Sequence, residues 1–136
     1  MSSSLGLAQR VARQVGIDHR RLRARAGELS GGNQQKTLFG RAIERAAAGV
    51  LLMNEPTRGI DVGARADIYQ LMRELCRRGY TLIMTSSELE EVVGISDVVL
   101  TMYRGRAVAR YEGKAIDMAA IMTDITHPAP TARDAA

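Results

Sequence analysis

Lysine is nearly missing from this chain: of its 19 basic residues, seventeen are arginine, and Lys36 and Lys114 are the two lysines. Any loop that needs a lysine ammonium against phosphate therefore has two places to find one. Cysteine occurs once, at Cys76, so no internal disulfide can form, which agrees with a reducing compartment. Its place in a helical pattern reads as core-facing or half-buried and not reactive. Long apolar runs are absent; none approaches the roughly 20 residues of a membrane helix. Met1 to Gly6 lacks the charge-then-apolar order of a signal peptide, and the chain reads as cytosolic. Aromatic residues are 4% of the chain, and none interleaves with the six arginines between Arg10 and Arg25. Without stacking residues or a helix-turn-helix pattern, that basic run reads as a solvated face, and no nucleic-acid partner is expected.

What is present is an ordinary balance, 46% hydrophobic and 25% charged over 136 residues with a net charge of +4, enough for one domain with a core. Ala8, Val11, Ala12 and Val15 make one face of an opening helix that stops at Gly16. Leu38, Phe39, Ala42, Ile43 and Ala46 make the apolar face of a second, ending near Gly49. Val50 to Met53, bounded by Gly49 and Pro56, is too short for a helix and reads as a buried strand. Gly63 to Arg78 is a helix with Ala64, Ile68, Leu71, Met72 and Leu75 inward, and Tyr80 to Thr85 the next strand. Ser87 and Glu90 have the form of a capping box for a short helix to about Val93. Val98 to Met102 and Ala107 to Tyr111 form a hairpin about Arg104-Gly105. Lys114 to about Met122 is a last helix, and Thr126 to Ala136 a frayed tail. Alternating strands and helices imply an α/β fold with a parallel sheet and ligands bound at the carboxyl ends of the strands.

Three stretches carry chemistry: Leu29-Ser30-Gly31-Gly32-Asn33-Gln34-Gln35-Lys36, then Asn54-Glu55-Pro56-Thr57-Arg58-Gly59-Ile60-Asp61-Val62-Gly63-Ala64, then Ser86-Ser87-Glu88-Leu89-Glu90-Glu91-Val92. A serine and two glycines opening a helix offer a hydroxyl and bare N–H groups at the positive end of a dipole, where an anion can sit. Each residue also has a plainer reading: Ser30 and Asp61 as helix caps, Glu55 as an exposed acid before a proline turn. In this order, from about Leu7 to Thr123, the motifs resemble the ATP-binding subunits of ABC transporters, and more narrowly the second nucleotide-binding domain of bacterial sugar importers of the ribose, xylose and galactose type.

The resemblance implies roles. Leu29, Ser30, Gly31, Gly32, Asn33 and Gln34 match the signature, which contacts the γ-phosphate of ATP held by the opposing domain. Val50 to Glu55 matches the Walker B strand, with Glu55 as the catalytic carboxylate that orients or activates water. Asp61 matches the aspartate at the dimer seam, and Ser87 falls where a switch histidine would stand, although its capping role is sufficient for it. Implied cofactors are ATP and Mg²⁺ in the complete dimer. Implied partners are the opposing nucleotide-binding domain, membrane permease subunits and, indirectly, a sugar-binding protein, on the cytoplasmic face of the membrane.

The departures matter equally. No Gly-x-x-x-x-Gly-Lys-Ser/Thr loop is present: Gln35 precedes Lys36-Thr37, and Ala115 follows Gly113-Lys114. The expected fold is a partial P-loop NTPase domain without its Walker A half, inactive alone. Residues 1–28 would be the end of a helical subdomain and linker, 29–124 the cassette from signature onward, and 125–136 a flexible tail. Asn54 stands where an aspartate would hold hydrated Mg²⁺, and an amide keeps the oxygen but loses the charge. His19 and His127 lie far in sequence from the switch position. An asymmetric pair of ATP sites follows, in which this domain's own site turns over poorly.

Overall fold

The computed structural model describes residues 2–46 and 49–128. They fall into two compact units, Met1–Thr85 and Ser86–Ala136.

The first unit opens with α1, Ser2–Gln14, whose Ala12 and the following Val15 are buried. Gly16 stops it: at φ 69° it lets the Ile17 N–H reach back to the Ala12 carbonyl at 2.9 Å. Two 3-10 turns, His19–Arg21 and Ala26–Glu28, lead to α2, Gly31–Arg45. In the first turn Arg20 grips Asp18 through Nη2 at 2.7 Å and holds its carboxyl down to about 2, so one of the six arginines is already engaged. Phe39 and Ile43 are buried in α2, whereas Leu38, expected on the same face, stands 53% exposed.

Gly40 is where α1 and α2 meet. A Cβ there would lie 2.5 Å from Val11 Cγ1, and a β-branched valine in a helix has little rotamer freedom to withdraw. Gly40→Ala gains about 0.8–1.0 kcal/mol of helix propensity but overpacks the crossing at about 1–3 kcal/mol. The clash wins, and a net loss of about 1–2 kcal/mol is expected in urea unfolding.

β1, Val50–Asn54, and β2, Thr81–Thr85, pair in parallel with Leu52 opposite Ile83 and Asn54 opposite Thr85. Between them runs α3, Val62–Arg77, which buries Ile68, Leu71, Met72 and Leu75 and packs on β2 and α2. The expectation of a buried β1 needs correction. Leu51 is 3% exposed but Leu52 is 76%, because strand side chains alternate and the described helices of this unit cover one face of the sheet. Cys76 is corrected as well: it is exposed, one position past the buried Leu75 on α3.

The second unit holds α4, Leu89–Ile95, then the antiparallel pair β3, Val98–Tyr103, and β4, Arg106–Glu112, and finally α5, Met118–Thr126. Arg104 and Gly105 both take positive φ, 47° and 79°, as a two-residue type I′ hairpin turn requires. Two boundaries differ from the sequence reading. Ser87 does not cap α4: Glu88 takes the cap position, and its N–H donates to Ser86 Oγ at 3.0 Å. The last helix starts not at Lys114, which lies in a 3-10 turn, but after Asp117, whose carboxylate accepts from the Ala120 N–H at 2.8 Å. Thr126 is helical, and the tail beyond Pro128 lies outside the described residues.

α5 is fastened to the hairpin by Asp124. One of its oxygens, Oδ2, accepts from Thr101 Oγ1 at 2.9 Å and from the Tyr111 hydroxyl at 2.7 Å. Thr101 is 2% exposed and also accepts from the Ala109 N–H at 3.0 Å. Thr101→Val keeps the shape and strands these partners, so a loss of about 1–3 kcal/mol is expected. The bond to Asp124, with burial and the nearby charge, raises the Tyr111 phenol above its usual 10. The folded state then holds that proton more tightly than the unfolded one. The contribution is complete below pH 10 and is lost as pH rises through the folded value. Thermal melts should fall more steeply above pH 10 for the parent chain than for Tyr111→Phe.

Candidate functional site

Leu29 to Gln34, the residues that the resemblance matches to the signature, lie at the start of α2. Leu29 is extended after the Ala26–Glu28 turn, and its carbonyl accepts from Gln34 Nε2 at 3.0 Å. Ser30 is the cap: its Oγ accepts from the Asn33 N–H at 3.4 Å and its carbonyl from the Gln34 N–H at 2.9 Å. The plain reading of Ser30 is therefore geometrically true, and it does not exhaust the residue. A hydroxyl that accepts through a lone pair still has its proton to donate. The N–H groups of Gly31 and Gly32, in the first turn, have no acceptor within the helix. Ser30 and Gly31 thus share one exposed helix start, at the positive end of a 15-residue dipole, with Gly32 buried just behind them.

Glycine at position 32 has a packing cause that the sequence alone did not reveal. A Cβ on Gly32 would stand 3.0 Å from the Ala64 Cβ, so α2 and α3 touch through two of the smallest residues available. Beside it, the Gly59 carbonyl lies 3.8 Å from the place of a Gly31 Cβ. The loop between β1 and α3 thus runs close to the start of α2. One turn along, Lys36 Nζ pairs with Asp67 Oδ2 at 2.9 Å, which commits one of the chain's two lysines to joining α2 and α3. Asp61 caps α3 by accepting from the Ala64 N–H at 2.9 Å.

Asn54 and Glu55 stand at the carboxyl end of β1. Asn54 Oδ1 accepts from Thr85 Oγ1 at 2.6 Å, and the Glu55 N–H donates to the Thr85 carbonyl at 2.9 Å. Thr85 received no role from the sequence, yet it ties both residues. Equal strand lengths in parallel register are the signal that could have found it. Glu55 itself adopts φ 50°, a conformation that costs a non-glycine residue on the order of 1 kcal/mol or more and that concentrates at functional sites. The residues do not fit a strong Mg²⁺ site: the Asn54 oxygen is neutral and already hydrogen-bonded. Among the described residues, no group of three or more His, Cys, Asp or Glu side chains is placed to hold a metal. Among them, too, no helix is long and apolar enough to cross a membrane.

No protein-family model matches the chain. It is 50% identical over 116 residues to the ribose import ATP-binding protein RbsA 2 of Burkholderia ambifaria, covering 85% of this chain and 23% of that protein. The chain therefore spans about a quarter of that relative's length. Among solved structures, the ADP conformation of an ATP-binding cassette of an ABC transporter superposes with a TM-score of 0.71 at 26% identity, covering 89% of this chain and 45% of that one. A dimeric bacterial ABC transporter cassette superposes at 0.64 with 19% identity, covering 79% and 46%, a likeness of fold. With the signature at a helix start, the paired polar residues at a strand end and the capped α3 on the page, the chain belongs to the ATP-binding cassettes of ABC transporters, and its sequence matches the sugar-importer subunits among them.

Proposed function

We propose that this chain forms part of the ATP-binding and ATP-hydrolysing subunit of a carbohydrate importer, and that Leu29 to Gln34 act on ATP held by an opposing nucleotide-binding domain. One observation carries the reading: Ser30 spends a lone pair on its own helix and keeps its O–H for an outside acceptor, beside the exposed first-turn N–H of Gly31. ATP supplies the triphosphate whose terminal group these donors would hold. The partners are the opposing domain, permease subunits on the inner face of the membrane and, through them, a sugar-binding protein. Residues 29–124 serve as the cassette piece and 1–28 as the end of a helical subdomain. Asn54 and Glu55 belong to this domain's own ATP site, which turns over slowly because Asn54 offers magnesium no charge.

A second reading is a non-catalytic module that docks through the signature face without binding nucleotide. The cap bonds of Ser30 and Asp61, which account for both residues as helix starts, favour it. Both readings expect no saturable MgATP binding by the folded chain in calorimetry; micromolar binding would overturn both. They separate in a chimera in which this chain's 116 matching residues replace those of the Burkholderia ambifaria relative. The first expects the chimera to hydrolyse ATP at a rate near that of the parent, and the second a chimera that assembles without turnover.

A further inference from the structure

Arg58 lies in the loop between β1 and α3, and the loop is held from inside. Pro56 and Thr57 are buried, Ile60 is 7% exposed, and the Arg58 and Ile60 N–H groups donate to the Glu55 and Thr57 carbonyls at 3.2 and 3.1 Å. Positive φ at Glu55 and Gly59, 50° and 74°, makes the turns tight. Anchored on both sides, the chain leaves residue 58 on the surface. Arg58 is exposed, and its guanidinium has no hydrogen bond or ion pair among the described residues.

Its position is unusual for a solvated charge. The carbonyl oxygen of the next residue, Gly59, faces the first turn of α2, 3.8 Å from where a Cβ on Gly31 would stand. Consecutive Cα atoms are about 3.8 Å apart, so Arg58 is rooted one residue from that approach, and its long side chain has the reach to cover the ground outside Ser30 and Gly31. An arginine that reaches over the starts of α2 and α3 meets the positive ends of two helices, which is unfavourable until an anion arrives. Asp61, the nearest acid along the loop toward α3, is engaged as the α3 cap.

We propose that Arg58 is a further phosphate-contacting residue of the site that Ser30, Gly31 and Gly32 form, gripping the γ-phosphate of ATP on the opposing domain from beside the signature. The inference rests on the function proposed above. In hydrolysis the oxygen of water bonds to the γ-phosphorus, the bond from that phosphorus to the β,γ-bridging oxygen breaks with its electron pair passing to ADP, and inorganic phosphate departs. Arg58 gives up no proton; its planar fork faces two non-bridging oxygens and balances the charge that spreads over them.

The test uses the chimera, with Ser30→Ala as the reference for the underlying site. Arg58→Ala is expected to lower kcat at least about 100-fold, below the range usual for an arginine acting across an interface, while KM for ATP moves within about threefold. Arg58→Lys is expected to recover little, because an ammonium cannot make the forked contact. Both substitutions should leave the melting temperature unchanged, since Arg58 is exposed. Arg58→Ala turnover within about threefold of the parent would overturn the inference, and full rescue by lysine would do so too, by reducing the role to a point charge. Loss of turnover together with a fall in the melting temperature would assign Arg58 to a structural contact and equally overturn it. If Ser30→Ala fails to slow the chimera, the site reading itself falls; if only Arg58→Ala fails, this inference alone does.

Discussion

Ser30→Ala in the chimera is expected to abolish most ATP turnover while leaving the chain folded. Its two consequences differ in size. As a cap, Ser30 makes a long bond, 3.4 Å to the Asn33 N–H, so the stability loss belongs at the low end for capping residues, about 0.5–1 kcal/mol. In the proposed role it is a phosphate donor beside the Gly31 N–H, and loss of one preorganised donor of this kind costs about 10² to 10³ in kcat. The melting temperature should thus fall by a few degrees and the rate by orders of magnitude. Glu55→Gln should cost much less, because in the proposed function Glu55 belongs to the slower site, where Asn54 would offer magnesium no charge. Equal losses from the two substitutions would remove the asymmetry between the sites. A Ser30→Ala chimera with parental turnover would return Ser30 to the role of a cap.

For stability, Ile68→Ala should be the most damaging of the substitutions considered. Ile68 is fully buried in the middle of α3, and Leu71, Met72 and Leu75 continue the same stripe at 8%, 5% and 0% exposure. Removing three carbons there loses their transfer energy and leaves a cavity that the neighbouring helix and sheet only partly close, about 2–5 kcal/mol together. Against a total of about 5–15 kcal/mol for an ordinary domain, that shifts the urea midpoint substantially. Leu52→Ala removes as many carbons from a side chain that is 76% exposed and should change stability by no more than about 0.5 kcal/mol. If the two cost the same, the outer face of the sheet is covered in solution, as self-association through Val50, Leu52 and Ile83 would do. Light scattering at the same protein concentration would then detect the assembly.

The sequence by itself determined the elements, because their signals are local. Ser30 and Asp61 are caps that announce helix starts, Gly16 and Gly79 take the positive φ that ends α1 and α3, and Arg104-Gly105 has the turn geometry of a hairpin. It also carried the order of motifs by which the family can be recognised. Boundaries failed where two local signals competed: α4 is capped at Glu88, whose N–H donates to Ser86 Oγ, and Asp117, not Lys114, starts α5. Only the tertiary structure decided which apolar residues are covered. Val50 to Met53 is uniformly apolar along the chain, so nothing in it distinguishes the face beneath Leu51 from the bare one at Leu52. Only packing, likewise, brought Gly59 against Gly31, Ala64 against Gly32 and Thr85 onto Asn54, since each pair joins residues more than two dozen positions apart. Local dihedral preference writes a helix start into a few neighbouring residues, whereas a contact across such separations depends on how the intervening helix lies on the sheet.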